Sequence, residues 1–349
     1  MKAAVLNQGK ILVREDVAEP RPAQNQVVVQ VKACGICGSD LHFAKHGARM
    51  LELGAEMTSG GLTSAGLALG LDLDRDVFMG HEFAAEVLEI GPDTESPVGV
   101  GSLVTSLPIL FGPAGVEPIV YSNTTLGGYA ERMLLSSFML LEIPNGLDAT
   151  RAALTEPMAV GLHAVNKSNI QRSEAALVLG CGPVGLSVIA ALRQKGVEHI
   201  VAADFSPARR ALAIGLGAHE AVDPHVETAW EAWGRSGRAG GVVVFEAIGV
   251  PGILNDIMRS SPAGSRVVVV GVCMEADTVT PFFGISKELN IQFVLGYDPA
   301  EFGASLRAIA EGDIDVAPLV TAEVGLDEVG WAFDALADPE QHCKIIVKP

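Results

Sequence analysis

Several kinds of segment are missing from the sequence. No apolar run reaches the roughly 18 residues that a membrane span needs, and Met1 to Gln8 lacks the layout of a secretory signal. We therefore expect a cytoplasmic protein with no membrane partner. Basic residues are also scarce, since 24 Lys and Arg stand against 42 Asp and Glu and the formal net charge is -18. A nucleic-acid backbone would meet net repulsion, so no nucleic-acid partner is expected.

Cysteine is scarce too. The chain has 5 cysteines, and only Cys34 and Cys37 lie close together in sequence. An odd, low count of this kind does not describe a disulfide-stabilised scaffold. A metal-binding or catalytic use of a cysteine is therefore considered below.

Length and patterning predict an α/β protein with two domains. A chain of 349 residues has room for two hydrophobic cores. The N-terminal part reads as short strands, as in 27–32, and the first 50 residues are interpreted as extended segments with turns. From Ala152 to Tyr297, short apolar runs alternate with helix-like stretches, which is typical of a doubly wound parallel sheet. The predicted domains are residues 1–151 with 298–349, mostly β, and residues 152–297.

A glycine-rich motif in the second domain predicts a dinucleotide site. The residues from Gly180 to Gly185 have the spacing G-x-G-x-x-G, follow an apolar strand and open a helix, so that a helix N-terminus faces a pyrophosphate. Asp204 ends the next strand, where an acid can bind the ribose hydroxyls of NAD and repel the 2'-phosphate of NADP. Arg209 follows closely and an arginine there serves NADP instead. The predicted cofactor-binding residues are Gly180, Gly182, Pro183, Val184, Gly185, Asp204 and Arg209.

A second set of residues predicts a zinc site. Cys37, His81, Glu82 and Glu156 supply a thiolate, an imidazole and two carboxylates, which are ordinary zinc ligands. Three protein ligands leave a position open, and zinc in such a site acts as a Lewis acid toward an alcohol oxygen. The alternative is that Cys37 and His81 are simply buried core residues.

The local sequences favour the metal site, because they resemble a known family. Gly35-Ile36-Cys37-Gly38-Ser39-Asp40-Leu41-His42, Gly80-His81-Glu82-Phe83, Gly127-Gly128-Tyr129-Ala130-Glu131 and Glu156-Pro157, followed by the dinucleotide motif, look like the zinc-dependent medium-chain dehydrogenase/reductase family over nearly the whole chain. The resemblance implies a GroES-like catalytic domain interrupted by a Rossmann domain, with the active site in the cleft between them.

The resemblance also implies roles for individual residues. Cys37 and His81 are zinc ligands, and the third is either Glu82 or Glu156. Ser39 accepts the substrate proton and His42 relays it to solvent, with His46 as a competing relay residue. Asp40 either orients a metal ligand or only forms a turn.

Two features depart from the family. Many relatives hold a second, structural zinc with four closely spaced cysteines, but no cysteine lies between Cys37 and Cys181, so one catalytic zinc per chain and no structural zinc are expected. The interval between Cys37 and His81 is long, with an insertion within Met50 to Met79 whose shape periodicity does not decide. This insertion either forms an adaptable apolar wall that admits a bulky, apolar substrate, or packs on a neighbouring subunit.

These observations predict a zinc-dependent alcohol dehydrogenase that transfers hydride between a secondary alcohol or ketone and NAD. One alternative is a polyol or 2,3-butanediol-type dehydrogenase, suggested by Glu156-Pro157. A different class, a non-catalytic dinucleotide-binding member of the superfamily, conflicts with the presence of the complete metal set. By the same resemblance, Arg266 to Cys273 and the strand from Ile291 extend a sheet across a two-fold axis, giving a homodimer or homotetramer.

Overall fold

The computed structural model describes residues 1–58, 70–112, 115–237 and 241–349. The chain forms two compact units. Unit 1 comprises Met1–Glu156, Val320–Ala337 and Lys344–Pro349, and unit 2 comprises Pro157–Leu319 and Asp338–Cys343. The domain boundaries predicted from the sequence, after residues 151 and 297, remain a prediction.

The strands of the described residues are short. They are β1 (Ala3–Asn7), β2 (Lys10–Arg14), β3 (Gln26–Gly35), β4 (Val77–Met79), β5 (Glu82–Ile90), β6 (Leu103–Ser106), β7 (Ile109–Gly112), β8 (Gly115–Pro118), β9 (Tyr121–Ser122), β10 (Arg132–Ser136), β11 (Leu140–Glu142), β12 (Ala175–Leu179), β13 (His199–Ala203), β14 (Glu220–Val222), β15 (Val242–Glu246), β16 (Arg266–Val269), β17 (Asn290–Phe293), β18 (Val320–Val324) and β19 (Lys344–Val347).

The helices are α1 (Gly38–Thr58), α2 (Ala149–Ala152), α3 (Thr155–Ser168), α4 (Pro183–Lys195), α5 (Pro207–Gly215), α6 (Ala229–Arg235), α7 (Ile253–Ser260), α8 (Pro281–Lys287), α9 (Pro299–Ala310) and α10 (Val329–Ala335). Among the residues that the structure describes, no helix is both long enough and apolar enough to cross a membrane.

Unit 1 is built around two mainly antiparallel sheets. The larger has the order β11-β6-β5-β3-β19-β18, with β10 also paired to β3, and the smaller has the order β2-β1-β4-β9. From Val29 to Ala33 of β3, the buried residues Val29, Val31 and Ala33 alternate with the partly exposed Gln30 and Lys32, and Val27, Val29 and Val31 lie in the core of this unit. This is the period-2 pattern of a strand with one buried face.

Unit 2 contains the predicted doubly wound sheet. Its six parallel strands have the order β14-β13-β12-β15-β16-β17, which is the strand order 3-2-1-4-5-6 of the Rossmann fold. The central strand β12 is apolar along its whole length and buried at every residue, because helices cover both faces of such a sheet. The strand order reverses between β12 and β15, the place where ligands bind in open parallel sheets.

The interpretation of the first 50 residues as extended is wrong for the part after Gly35. Helix α1 begins at Gly38 and runs through Met50 to Thr58, broken by non-helical backbone angles at His46 (φ -127°, ψ 18°). The carboxylate of Asp40 accepts a hydrogen bond from the Cys37 backbone N–H, which is one half of a capping box and favours a helix start at this point.

The insertion within 50–79 lies partly outside the described residues, since nothing is described between 59 and 69. On either side of this gap, Met50, Leu71 and Leu73 pack against the core of unit 1. The Asp72 backbone N–H donates to Asn123 Oδ1 at 2.8 Å. The flanks of the insertion are therefore part of the fold of unit 1, and an apolar substrate wall stays a prediction.

A buried polar pair connects α3 to α9 in unit 2. His163 Nδ1 lies 2.7 Å from Glu301 Oε2, and Asn166 donates to the other carboxylate oxygen at 2.8 Å. The Asp298 backbone N–H also donates to Glu301 as part of a capping box. Burial acts to raise the pKa of Glu301, but the hydrogen bonds from Asn166, Asp298 and His163 outweigh it and hold that pKa below its usual value.

Replacing Glu301 with Gln is expected to lower the free energy of unfolding by about 1–3 kcal/mol, because hydrogen bonds to a charged group are lost. Since the pKa of Glu301 is lowered in the folded state, its stabilising effect is present above the unfolded pKa and disappears as the pH falls through the folded pKa. Urea unfolding at several pH values measures this. The difference in unfolding free energy between wild type and Glu301→Gln should disappear in acid. Glu311→Gln, at the exposed end of the same helix, should have the unfolding free energy of wild type at every pH. A difference for Glu301→Gln that does not depend on pH would contradict this prediction.

Candidate active site

Strand pairing in unit 1 brings the two predicted metal-ligand motifs together. β3 and β5 are antiparallel, and Gly35 at the end of β3 pairs with Glu82 at the start of β5. Cys37 follows Gly35 by two residues and His81 directly precedes Glu82, so both lie at the same edge of the sheet. The pKa of Cys37 responds both to the charge of His81 and to a hydrogen bond with it. The strand register and these two effects both indicate that the thiol and the imidazole lie close together.

The glycine before His81 has a steric reason. Gly80 adopts φ +100°, and a Cβ at this position would lie 2.8 Å from the Tyr129 backbone nitrogen and 2.9 Å from its ring. A side chain is excluded by both the backbone conformation and the close approach of Tyr129. Gly80 thus lets the Gly127-Gly128-Tyr129 segment pack directly beside His81.

The two ring nitrogens of His81 face different partners. Nε2 lies 3.5 Å from the Ser39 hydroxyl, and Nδ1 lies 3.6 Å from Asp40 Oδ1. Burial disfavours the charged imidazole, but Asp40, Cys37 and Glu156 outweigh it and raise the pKa of His81 well above its usual value. Burial raises the pKa of the Cys37 thiol, and Glu82 adds to this, while His81 opposes it.

The two candidate carboxylates have different surroundings. Glu82 is fully buried, and its two oxygens accept hydrogen bonds from Lys344 Nζ at 2.7 and 2.8 Å. Lys344, on β19, also donates to the Ile36 carbonyl at 2.9 Å. Glu156 is buried as well, and its charge acts on His81. The charge of Glu82 in turn acts on Cys37, so both carboxylates act on the Cys37–His81 pair, and Glu82 is in addition hydrogen-bonded to Lys344.

The chemistry of these donors fits a zinc ion. A thiolate, an imidazole and a carboxylate form a usual ligand set, and an imidazole with a carboxylate behind its second nitrogen is typical of a metal ligand. Both His81 Nδ1 and Asp40 Oδ1 are buried and lack a hydrogen-bond partner, so this contact has room to shorten. Within the described ranges, His163, Asp298 and Glu301 each offer one potential ligand atom, and these three atoms lie within 4.8 Å of one another. The potential ligand atoms around Cys37 are farther apart than this.

Helix α1 positions the two residues predicted to move a proton. Ser39 and His42 are three residues apart and therefore lie on the same face of the helix. Burial, together with His46 and Lys45, lowers the pKa of His42, whose ring centroid lies 6.4 Å from that of His46. The structure brings Ser39 to His81 and leaves His42 exposed to solvent. Their relay role remains a prediction.

The glycine-rich motif of unit 2 has the predicted context. It joins β12 to α4, which begins at Pro183 with Gly182 as its N-cap. A Cβ at Gly185 would collide with the Gly180 carbonyl oxygen. The loop and the first turn of α4 can approach this closely only because Gly185 has no side chain. Cys181 is fully buried, and burial, with Asp204 nearby, raises its pKa to about 12.

Asp204 and the arginines after it are arranged in a specific way. The Asp204 carboxylate accepts hydrogen bonds from the backbone N–H groups of Cys181 at 2.7 Å and Ser206 at 2.8 Å. The Arg210 guanidinium donates to the Asp204 and Phe205 carbonyls and lies 3.3 Å from Asp223. The Nε of Arg209 is buried and without a hydrogen-bond partner. Of the two arginines, Arg209 is thus the one with unused hydrogen-bonding capacity.

Two residues of this region were not predicted from the sequence, Lys344 and Tyr121. Lys344 lies on β19, and its contact with Glu82 depends on β19 pairing with β3 from the far end of the chain. Tyr121 lies on β9, pairs with Met79 across the sheet and stacks on Phe43 at 4.0 Å. No local sequence signal identifies either of them.

Comparison with known proteins agrees with these observations. Residues 23–145 match the alcohol dehydrogenase GroES-like domain, and residues 183–311 match the zinc-binding dehydrogenase family. The chain is 33% identical to (R,R)-butanediol dehydrogenase of Bacillus subtilis (strain 168) over the full length of both chains. It is 26% identical to sorbitol dehydrogenase of the same organism, covering all of this chain and 97% of that one.

Solved structures show the same relationship. The crystal structure of 2R,3R-butanediol dehydrogenase from Bacillus subtilis superposes with a TM-score of 0.80 at 32% identity, covering 100% of this chain and 99% of that one. A protein from Sinorhizobium meliloti 1021, described as a zinc-binding dehydrogenase and crystallised bound to NADP, gives a TM-score of 0.78 at 28% identity, with the same coverage.

Proposed function

Because the chain belongs to the zinc-dependent medium-chain dehydrogenase/reductase family, we propose that it is a zinc- and NAD-dependent dehydrogenase of vicinal diols and the matching hydroxy ketones. It is an oxidoreductase acting on CH–OH donors, and its substrates are small alcohols. A cytoplasmic location is part of this proposal. The preference for diols follows the butanediol and sorbitol dehydrogenases to which the chain is similar along its whole length.

The observation that carries the proposal is the meeting of Cys37, Ser39 and His81 at one edge of the unit 1 sheet. A metal-ligating pair with a hydroxyl 3.5 Å from the imidazole combines two requirements of alcohol oxidation. One is a Lewis acid for the substrate oxygen, and the other is a group to receive the hydroxyl proton. A non-catalytic dinucleotide-binding protein has no need of this arrangement.

We propose Cys37, His81 and Glu156 as the zinc ligands. Glu156 is favoured over Glu82 because both oxygens of Glu82 are hydrogen-bonded to Lys344, and releasing them would leave a buried ammonium group without its partner. Zinc bound there would supply a Lewis acid for the alcohol or ketone oxygen. Ser39 is proposed to receive the substrate proton and His42 to pass it to solvent.

We propose that NAD binds at the residues predicted from the sequence. The pyrophosphate would lie at the N-terminus of α4, next to Gly180, Gly182, Pro183, Val184 and Gly185, and Asp204 would face the adenosine ribose. The negative charge of Asp204 supports NAD over NADP. Arg209 is the residue that would meet a 2'-phosphate.

Replacing Asp204 with Asn is expected to move the cofactor preference toward NADP by on the order of tenfold in kcat/KM, about 1.4 kcal/mol. The amide keeps an acceptor oxygen for the Cys181 N–H, but it no longer repels a phosphate. The measurement is the ratio of kcat/KM for NAD to that for NADP. Asp223→Asn is the matched control, because that carboxylate contacts Arg210, and its ratio should equal that of wild type. An unchanged ratio in Asp204→Asn would contradict the prediction.

A substrate panel tests the diol assignment. We expect a higher kcat/KM for 2,3-butanediol than for 2-butanol, which is the same carbon chain without the second hydroxyl, and diacetyl or acetoin should be reduced in the reverse direction. The stereoisomers of butanediol show which configuration is preferred. A higher kcat/KM for 2-butanol, or for bulky cyclic alcohols, would overturn the diol proposal in favour of a secondary alcohol dehydrogenase.

We further propose that the enzyme is a homo-oligomer that associates through the edge of the unit 2 sheet. In the described residues β17 pairs only with β16, and large apolar side chains nearby are exposed, including Phe293 at 68%, Leu295 at 76% and Ile285 at 76%. An unpaired strand edge beside large exposed apolar side chains is normally covered by another chain.

Replacing Leu295 with Asp is expected to convert the oligomer into smaller species, because a charge buried in an apolar interface is costly. Light scattering after size-exclusion chromatography measures the mass. Val226→Asp is the control, since Val226 is 85% exposed and away from β17 in sequence, and it should leave the mass unchanged. A monomeric wild type, or an unchanged mass for Leu295→Asp, would contradict this interface.

A further inference from the structure

Tyr129 is held rigidly beside the candidate metal site. Its backbone N–H donates to the Met79 carbonyl at 3.2 Å, and its carbonyl accepts from the Ala4 N–H at 2.8 Å. The side chain is 1% exposed, and its ring meets Phe333 edge-on at 6.1 Å. The phenol hydroxyl is therefore fixed in position, with the Gly35 carbonyl oxygen as a distant acceptor at 3.4 Å.

The nearer acceptor of the Tyr129 hydroxyl is the buried carboxylate of Asp40. The Tyr129 hydroxyl donates to Asp40 Oδ2 at 2.6 Å, and the Cys37 backbone N–H donates to the same oxygen at 3.2 Å. Asp40 itself is 0% exposed. The second oxygen, Oδ1, receives no hydrogen bond and faces His81 Nδ1 at 3.6 Å. Two donors thus fix one carboxylate oxygen and direct the other to the imidazole.

We propose that Tyr129 is a positioning residue for the metal site, whose hydroxyl orients Asp40 so that Asp40 holds the His81 ring and tautomer for metal binding through Nε2. This inference rests on the proposed zinc site. A histidine that binds a metal normally donates its other N–H to a carboxylate, and losing that partner weakens metal binding. Tyr129 adds a third member to the series that begins with the metal ligand His81 and continues with Asp40. Its hydroxyl contacts neither metal nor substrate.

Electrostatics agree with this geometry. Burial raises the pKa of Asp40 and outweighs His81 and the hydrogen bond from Tyr129, which both act to lower it. A short hydrogen bond to a buried carboxylate stabilises its charged form. Burial, together with Asp40, also raises the pKa of Tyr129 well above its usual value, so the phenol keeps its proton and remains a donor.

The test is the rate of zinc loss from the purified, zinc-loaded protein to an excess of a chromogenic chelator. Tyr129→Phe keeps the ring and removes the hydroxyl, and we expect it to lose zinc on the order of tenfold faster than wild type. Tyr297→Phe is the matched control. It removes the same hydroxyl from a tyrosine of unit 2, whose ring stacks on Phe302 at 5.4 Å, and it should lose zinc at the wild-type rate.

Two further readouts separate positioning from general destabilisation. The visible spectrum of the cobalt-substituted protein reports the ligand field and should change in Tyr129→Phe. In a double-mutant cycle, Asp40→Asn with Tyr129→Phe should lose zinc no faster than Asp40→Asn alone, because the two residues act in series. Thermal unfolding of the metal-free proteins shows whether the fold itself has been weakened.

Each outcome decides the proposal. Wild-type zinc loss and an unchanged cobalt spectrum in Tyr129→Phe overturn it, and so do strictly additive effects of the two substitutions. Faster zinc loss with an altered spectrum and no additivity supports it. If the wild type retains no zinc, the proposed zinc site is overturned, and this inference with it. If the wild type binds zinc and Tyr129→Phe loses it at the wild-type rate, only this inference is overturned.

Discussion

Replacing Cys37 with Ala is expected to leave the protein without zinc and to lower kcat/KM for 2,3-butanediol by about 1,000-fold or more. A metal acting as Lewis acid contributes several kcal/mol to transition-state stabilisation, and each 1.4 kcal/mol is a factor of ten in rate. Cys34→Ala is the control. Cys34 is a free, buried cysteine of the adjoining strand, and its loss should leave the zinc content unchanged.

The same zinc determination separates the two candidate carboxylates. Glu156→Gln is expected to lose zinc, and Glu82→Gln to retain it, because Glu82 is hydrogen-bonded to Lys344. The reverse pattern would make Glu82 the third ligand. Full zinc content in Cys37→Ala would contradict the whole metal assignment.

Replacing Lys344 with Met is expected to destabilise the protein by about 3–5 kcal/mol, because it leaves the Glu82 carboxylate buried without its partner. Lys344 and Glu82 are 2% and 0% exposed, so water cannot replace the lost contact. The double variant Lys344→Met/Glu82→Gln should recover most of the loss, since it removes the unpaired charge as well. Urea unfolding measures both.

Lys348→Met is the matched control for this experiment. Lys348 lies just after the same strand, contacts Glu323 at 3.3 Å and is 38% exposed, so its loss should cost at most about 1 kcal/mol. Equal costs for the two lysines would mean that the Lys344–Glu82 pair contributes no more than a surface ion pair.

The parts of the fold visible in the sequence are those set by local patterns. The strands of unit 2 were predictable because burial on both faces makes them continuous apolar runs, and β12 is an example. β14 was missed, since it has only three residues, Glu220–Val222. Helix α1 was missed because its first turn carries site residues, so that apolar periodicity is weak where the helix begins.

The candidate site was likewise predictable where short motifs define it, and not where distant segments of the chain meet. Cys37 and His81 were identified by short motifs, and the β3–β5 register explains why those motifs meet. The partnership of Lys344 with Glu82 spans 262 residues of sequence, and no local pattern encodes a contact at that separation. Tyr129 belonged to a motif that was noticed, but the contact of its hydroxyl with Asp40 requires the packing of two segments that are 89 residues apart in sequence.

The zinc content of the purified protein, measured together with NADH formation from 2,3-butanediol before and after chelation, tests the central claim most directly. The account predicts about one zinc per chain, as expected of a single catalytic site, with activity that is lost on chelation and restored by added zinc. Metal-free protein that still oxidises the diol would contradict the assignment of Cys37 and His81, and with it the proposed function of this site.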